Sequence, residues 1–261
     1  MAQEQTAIHR VMHEIKRRRL EVLRVTDLTP RMRRITVGGP ELEGFLSLGA
    51  DDHIKLLFAQ TPEQQTALEN MVLGGSKDAE GVKPFMRDYT PRRIDLAAGE
   101  LDIDFVIHGD GPASTWAEQA EPGQFLHIGG PRSSVIVPDI FEHYLLIGDE
   151  TAIPAIARRL EELPANRKAL VVIEVEDAQE QQPLESAADI HVIWVNRHEQ
   201  SLLETVSALT VPAQGLYAWV ATEAALSRKV RRILLDAHGL DESLVKAVGY
   251  WRLDPDAPEE A

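Results

Sequence analysis

The feature that most constrains the fold is a change of rhythm near Pro138. Before it, short segments alternate apolar and polar residues and close in turn chemistry: LEVLRVTDLT, MRRITVGG, HIKLLFA, LDIDFVIHG and QFLHIGGP. A period of two, punctuated by Gly and Pro, predicts an antiparallel barrel or sandwich. After it, continuous apolar strands alternate with amphipathic segments. YLLIGDETAIPAIARRLEEL reads as strand, turn and helix, with Ile153, Ile156, Ala157 and Leu160 on one face. KALVVIEVED is a strand, and DIHVIWVNRHEQSLLETVSAL and LYAWVATEAALSRKVRRILLDAHG each read as strand then helix. That order predicts a parallel sheet covered on both faces. The expected division is an N-terminal β-barrel over residues 1–138 and a C-terminal nucleotide-binding-like α/β domain over 139–261. Residues 61–84 read as a polar surface insertion holding one loose helical turn, and the acidic end, DPDAPEEA, as a frayed tail. Parallel sheets bind ligands beyond their strands' carboxyl ends, so the seam between the domains is the expected site.

Charge narrows the partners. The 261 residues carry a formal net charge of −15, which argues against nucleic acid or an anionic membrane, since both reward a basic face. The chain has no cysteine, which excludes disulfides, thiolate metal sites and cysteine nucleophiles. The nine histidines show no metal-ligand spacing, so no metal site is expected. No apolar run has signal-peptide or transmembrane length. A soluble, cytoplasmic monomer with no membrane partner is the expectation.

Two stretches suit an anionic ligand. RDYTPRR, residues 87–93, gathers three arginines in an acidic chain. Arg87 offers a planar fork for phosphate, Tyr89 an aromatic face and Thr90 a hydroxyl; the alternative is a strand end with solvated arginines. DFVIHGDGPASTWAEQAEPGQ, residues 104–124, runs from a strand through a Gly-rich turn into a short helix. Gly111, Pro112, Ala113 and Ser114 open that helix, and its unpaired N–H groups suit a pyrophosphate; the alternative is an ordinary capped helix. Further on, KRRR (residues 16–19) reads either as a solvated strand start or as a guide for an anion. Arg228, Lys229, Arg231 and Arg232 read either as a solvated helix face or as contacts to a nucleotide phosphate.

The motifs RDYTP, DFVIHGDGPASTWA with PGQFLHIGGPRSS, IGDETAIPAIARRLEEL and AVGYWR occur in an order and spacing that resemble the siderophore-interacting proteins. These are FAD-dependent ferric-siderophore reductases related to the ferredoxin reductases, and the resemblance spans roughly residues 16–252. It implies flavin-dependent reduction of ferric siderophores, with NADPH or NADH as electron donor. The alternative is a flavin- or siderophore-binding protein that serves another reductase. The resemblance implies FAD contacts from Arg87, Asp88, Tyr89, Thr90, Asp104, His108, Gly111, Pro112, Ala113, Ser114 and Trp116, with Trp251 near the flavin. It also implies an anionic, catecholate-type ferric siderophore held by Lys55, Arg132 and Lys246. The nicotinamide region is implied at Asp149, Glu150, Thr151, Arg228 and Arg231. Here GDETAIP replaces the glycine-rich turn of the wider reductase group: only Gly148 remains, and Asp149 and Glu150 would either repel a pyrophosphate or cap the helix.

Overall fold

A computed structural model describes residues 7–71, 81–109, 111–212 and 214–253. The chain divides into two compact units, Met1–Pro138 and Asp139–Ala261.

The first unit holds β1 (His9–Met12), β2 (Arg17–Thr29), β3 (Met32–Gly38), β4 (Ile54–Phe58), α1 (Pro62–Asn70), β5 (Phe85–Tyr89), β6 (Arg93–Asp95), β7 (Glu100–Val106), α2 (Pro112–Glu118), β8 (Phe125–Gly129) and β9 (Ser133–Ile136). Seven strands form one antiparallel sheet in the order β5-β4-β8-β2-β3-β7-β6. Its two edges, β5 and β6, are consecutive in the chain and joined only by Thr90-Pro91-Arg92. The sheet must therefore curl until its edges approach each other, the geometry of a barrel. Leu20, Ile35, Ile54, Leu56, Ile103, Phe105, Leu126 and Ile128 fill the interior, each at most 1% exposed. Burial of such side chains stabilises by about 1.5–3 kcal/mol each.

The strand pattern read from the sequence holds, with two differences. His9–Met12 forms a strand that pairs with β9, which its short length had hidden. The loose turn expected within 61–84 is instead a nine-residue helix, α1, capped by Thr61 accepting from the Gln64 amide and opened by Pro62. Residues 72–80 of that insertion, and the acidic tail from 254 onward, lie outside the described residues.

The second unit holds β10 (His143–Gly148), α3 (Ile153–Glu162), β11 (Lys168–Val175), β12 (Asp189–Asn196), α4 (Leu202–Ser207), β13 (Leu216–Glu223), α5 (Ala224–Asp236) and β14 (Val245–Trp251). All five strands are parallel, in the order β12-β11-β10-β13-β14. Ile153, Ile156, Ala157 and Leu160 are buried on α3 as their spacing predicts. Gly148 is required by packing: a Cβ there would lie 2.5 Å from the Ala152 Cβ and 3.0 Å from the Ile156 Cδ1. The glycine of GDET thus lets β10 meet the start of α3. Among the described residues no helix is long and apolar enough to cross a membrane.

Candidate functional site

In the first unit the two anion-suited stretches are joined by a row of rings. Arg87, Asp88 and Tyr89 end the edge strand β5, whose residues are exposed up to Tyr89. Tyr89 packs on Phe105 of β7 with ring centroids 4.6 Å apart, and Phe105 meets Trp116 of α2 at 5.7 Å. Trp116 in turn lies 5.7 Å from Phe58. Burial raises the Tyr89 hydroxyl well above its ordinary pKa, so it stays protonated. Arg87 is exposed, and its guanidinium donates to the carbonyl of Met86 at 2.8 Å. Thr90 is buried beside the barrel edge.

The turn before α2 is shaped for close approach. Gly109 and Gly111 have φ of +80° and +98°, conformations that favour glycine. A Cβ on Gly109 would meet nothing within 4 Å, and one on Gly111 only the His108 Cε1 at 3.7 Å. His108 is exposed, and Pro112 is the first helical residue, where its missing N–H costs nothing. Ala113 and Ser114 are buried in the first turn, where backbone amides lack intrahelical partners. The Ser114 hydroxyl is turned inward, accepting from the His108 and Gly109 amides at 3.1 and 3.3 Å. It braces the turn through both amides. An exposed guanidinium, an aromatic row and an open glycine turn fit a flavin dinucleotide.

Asp104 has a different occupation. Its carboxylate, 2% exposed, accepts from Arg34 Nε at 2.7 Å and from the second guanidinium nitrogen at 2.8 Å. The two residues are cross-strand partners of β3 and β7, and they form a partly buried pair within the barrel wall.

Of the three basic residues expected at a substrate, the first unit carries two at one end of the sheet. Lys55 lies opposite Gly129 at the end of β8, and Arg132 is exposed in the turn that follows. Lys55 is already paired with Asp88 at 2.7 Å, both side chains about half exposed. Lys246 lies on β14 of the second unit, in register with Trp219.

In the second unit the strands' carboxyl ends are acidic. Asp149, 2% exposed, caps the single 3₁₀ turn that follows β10, accepting from the Thr151 amide at 2.9 Å and the Thr151 hydroxyl at 2.5 Å. It also accepts from Trp251 Nε1 at 2.7 Å. Burial pushes its pKa up to about 6, against the pull of those hydrogen bonds. Glu150 binds Arg197 at 2.5 Å, and Arg197 also holds Glu174 at 3.2 Å and Glu176 at 2.9 Å. Glu223 caps α5, accepting from the Ala225 and Leu226 amides at 2.7 and 2.9 Å. Capping is therefore what Asp149 does, while Glu150 forms an ion pair. Arg228, Lys229 and Arg232 are exposed on α5, and Arg231 is paired with Glu242. Trp251 is the last residue of β14 and is 40% exposed. Arg197 and Glu223 went unnoticed in the sequence, where each is one charge among many; only strand order brings them to these ends.

Comparisons with known proteins bear on the family. Residues 21–135 match the siderophore-interacting FAD-binding domain, and residues 141–254 match the siderophore-interacting protein family. The chain is 35% identical to the NADPH-dependent ferric-chelate reductase of Escherichia coli K12, covering 93% of this chain and 95% of that protein. It is 29% identical to the ferric vibriobactin reductase ViuB of Vibrio cholerae, covering 90% and 89%. A siderophore utilization protein from T. fusca superposes with a TM-score of 0.82 at 35% identity, covering 95% of this chain and 97% of that one. Phthalate dioxygenase reductase, at 12% identity and a TM-score of 0.61 over 89% of this chain and 68% of its own, shares the fold. The chain belongs to the siderophore-interacting protein family.

Proposed function

We propose that this chain reduces ferric siderophores and so releases ferrous iron, with FAD as its cofactor and NADPH or NADH as electron donor. The observation that carries this reading is the exposed Arg87, linked through Tyr89, Phe105 and Trp116 to the open glycine turn at the start of α2. When bound, FAD supplies the exchange between a two-electron hydride donor and a one-electron acceptor. Arg87 offers its fork to a phosphate, the α2 amides offer donors to the pyrophosphate, and the ring row supplies an apolar wall. Trp251 is assigned to the cofactor as well, on the support of its exposed indole and its fixed Nε1.

The substrate we assign is an anionic ferric catecholate. Ferric ion is hard and tightly held by such oxygens, and ferrous ion far less so, which makes one electron the release step. Lys55, Arg132 and Lys246 are assigned to the chelate. We further assign the protein to the cytoplasm as a monomer.

Arg87→Ala tests the cofactor assignment. Purified protein should carry flavin absorbance, heat-released cofactor should be FAD, and the variant should lose it on dialysis. Release of FMN, or retention of flavin by the variant, would overturn the assignment. A second reading has its own support. Asp149 caps the 3₁₀ turn after β10 and Glu223 the start of α5, each with a carboxylate, which favours an electron-transfer role fed by another reductase. Anaerobic bleaching of the flavin by NADPH or NADH decides for direct turnover, and bleaching only by a reduced protein donor decides against it.

A further inference from the structure

KRRR splits into exposed and buried charges. Lys16 pairs with Glu14 at 3.2 Å, Arg17 donates to the carbonyls of Leu68 and Glu69, and Arg19 lies over the Phe125 ring. Arg18 faces the interior and is 5% exposed. Its guanidinium donates to the carbonyls of Gly130 and Gly44, both at 3.4 Å, and sits 5.2 Å from the Phe45 ring centroid. Its Nε has no hydrogen-bond partner among the described residues. Glu41 and Glu14 act on it only through space, and burial outweighs both, lowering its pKa from the usual arginine value. A guanidinium still does not lose its proton at neutral pH. This is a largely buried positive charge with no carboxylate in direct contact among the described residues, held by two long hydrogen bonds and the Phe45 ring, an arrangement proteins seldom retain without cause.

Its neighbourhood supplies a cause. The Gly130-Pro131-Arg132 turn is held by the N-terminal segment at three backbone atoms. The Gly130 amide donates to Lys16, the Gly130 carbonyl accepts from Arg18, and the Arg132 carbonyl accepts from the His13 amide at 2.9 Å. Exposed charge at this end of the sheet is meanwhile weakened. Lys55 is offset by Asp88, and Arg132 is exposed to screening by salt. A buried charge is screened much less.

We infer that Arg18 is a positioning residue for the Arg132 turn and a buried source of positive potential for an anionic ferric chelate bound against that turn. The inference rests on the proposed reduction of ferric siderophores. A redox-inert probe separates the two: gallium(III) tris-catecholate, a trianion, titrated into the flavin-loaded full chain and followed by tryptophan fluorescence, with a near-neutral gallium hydroxamate as control. Arg18→Met should weaken catecholate binding by about two orders of magnitude, the order expected for one unit charge acting on a trianion from roughly 15 Å at an effective dielectric constant of about 20. The loss should persist between about 0.05 and about 0.5 M salt, whereas the loss caused by Arg132→Ala should fade over that range. Hydroxamate binding should change less than about twofold, and Arg18→Lys should retain most of the catecholate affinity because it keeps the charge. Should Arg18→Met fail to fold, Arg18→Gln carries the same test. Equal weakening for both chelates, or no rescue by lysine, would mean that Arg18 only holds the loops together, and the inference would be wrong. If wild-type protein binds neither chelate, the substrate reading itself fails.

Discussion

Replacing Asp104 separates a wall residue from a cofactor ligand. Its carboxylate takes two hydrogen bonds from Arg34, at 2.7 and 2.8 Å, in a site where Asp104 is 2% and Arg34 26% exposed. Asp104→Ala leaves the guanidinium without its counter-charge. Breaking a fully buried pair costs about 3–5 kcal/mol. Water reaches part of Arg34 and relaxes the penalty, so about 2–3 kcal/mol is expected here. For a unit of this size that corresponds to a fall in Tm of about 6–10 °C. The assay is urea unfolding of flavin-free protein, followed by flavin titration of the folded variant at low temperature. The expected outcome is a large stability loss with flavin affinity unchanged within about twofold. The double variant Arg34→Met/Asp104→Leu should recover much of the loss, since apolar groups of similar volume replace a buried pair well. Flavin affinity falling more than about tenfold with stability intact would refute this reasoning and make Asp104 a ligand.

Two further outcomes follow from the second unit. Asp149 is raised to about 6 in the folded chain, so the folded state binds a proton more tightly than the unfolded one. Its contribution to stability is therefore fully present at low pH and lost as pH rises from about 4 to about 6, a change of about 2–3 kcal/mol; Asp149→Asn should flatten that part of a stability–pH profile, and an unchanged profile would count against the burial. Gly148→Ala forces a Cβ to within 2.5 Å of Ala152 and should cost about 1–3 kcal/mol by urea unfolding, with no loss expected if the strand can withdraw from α3.

The sequence made the architecture readable because periodicity reports directly on burial. Continuous apolar runs such as LYAWVATE, wholly buried as β13, cannot be solvated on one face. The RDYTP and HGDGPAS stretches were readable as candidates because turn chemistry and charge are local. What stayed hidden depended on register. The Arg34–Asp104 pair exists because β3 and β7 align those two positions, and no spacing along the chain announces it. The inward turn of the Ser114 oxygen, which accepts from the His108 and Gly109 amides, was likewise not legible along the chain. Arg18 could have been found: it shares parity with Leu20 and Val22, both buried on β2, which puts it on the inner face between two outward arginines.

The second unit poses a problem that its fold alone does not solve. Helix starts at the carboxyl ends of parallel strands bind phosphate because their amides lack partners and carry partial positive charge. Here the chain supplies the anions itself. Asp149 takes the Thr151 amide and Glu223 the Ala225 and Leu226 amides, while Glu150, Glu174 and Glu176 surround the one arginine at the β12 end. A dinucleotide phosphate at the α5 start would have to displace a carboxylate already bonded there, and one at the turn after β10 would meet the Asp149 carboxylate. The exposed cations Arg228, Lys229 and Arg232 lie further along α5, away from those caps. Asp149 and Glu223 thus serve as caps that hold the local fold. The Trp251 indole is anchored by the same Asp149 carboxylate that caps the turn after β10. That one buried acid thereby ties the end of the first strand to the end of the last, leaving the indole ring 40% exposed in a fixed orientation.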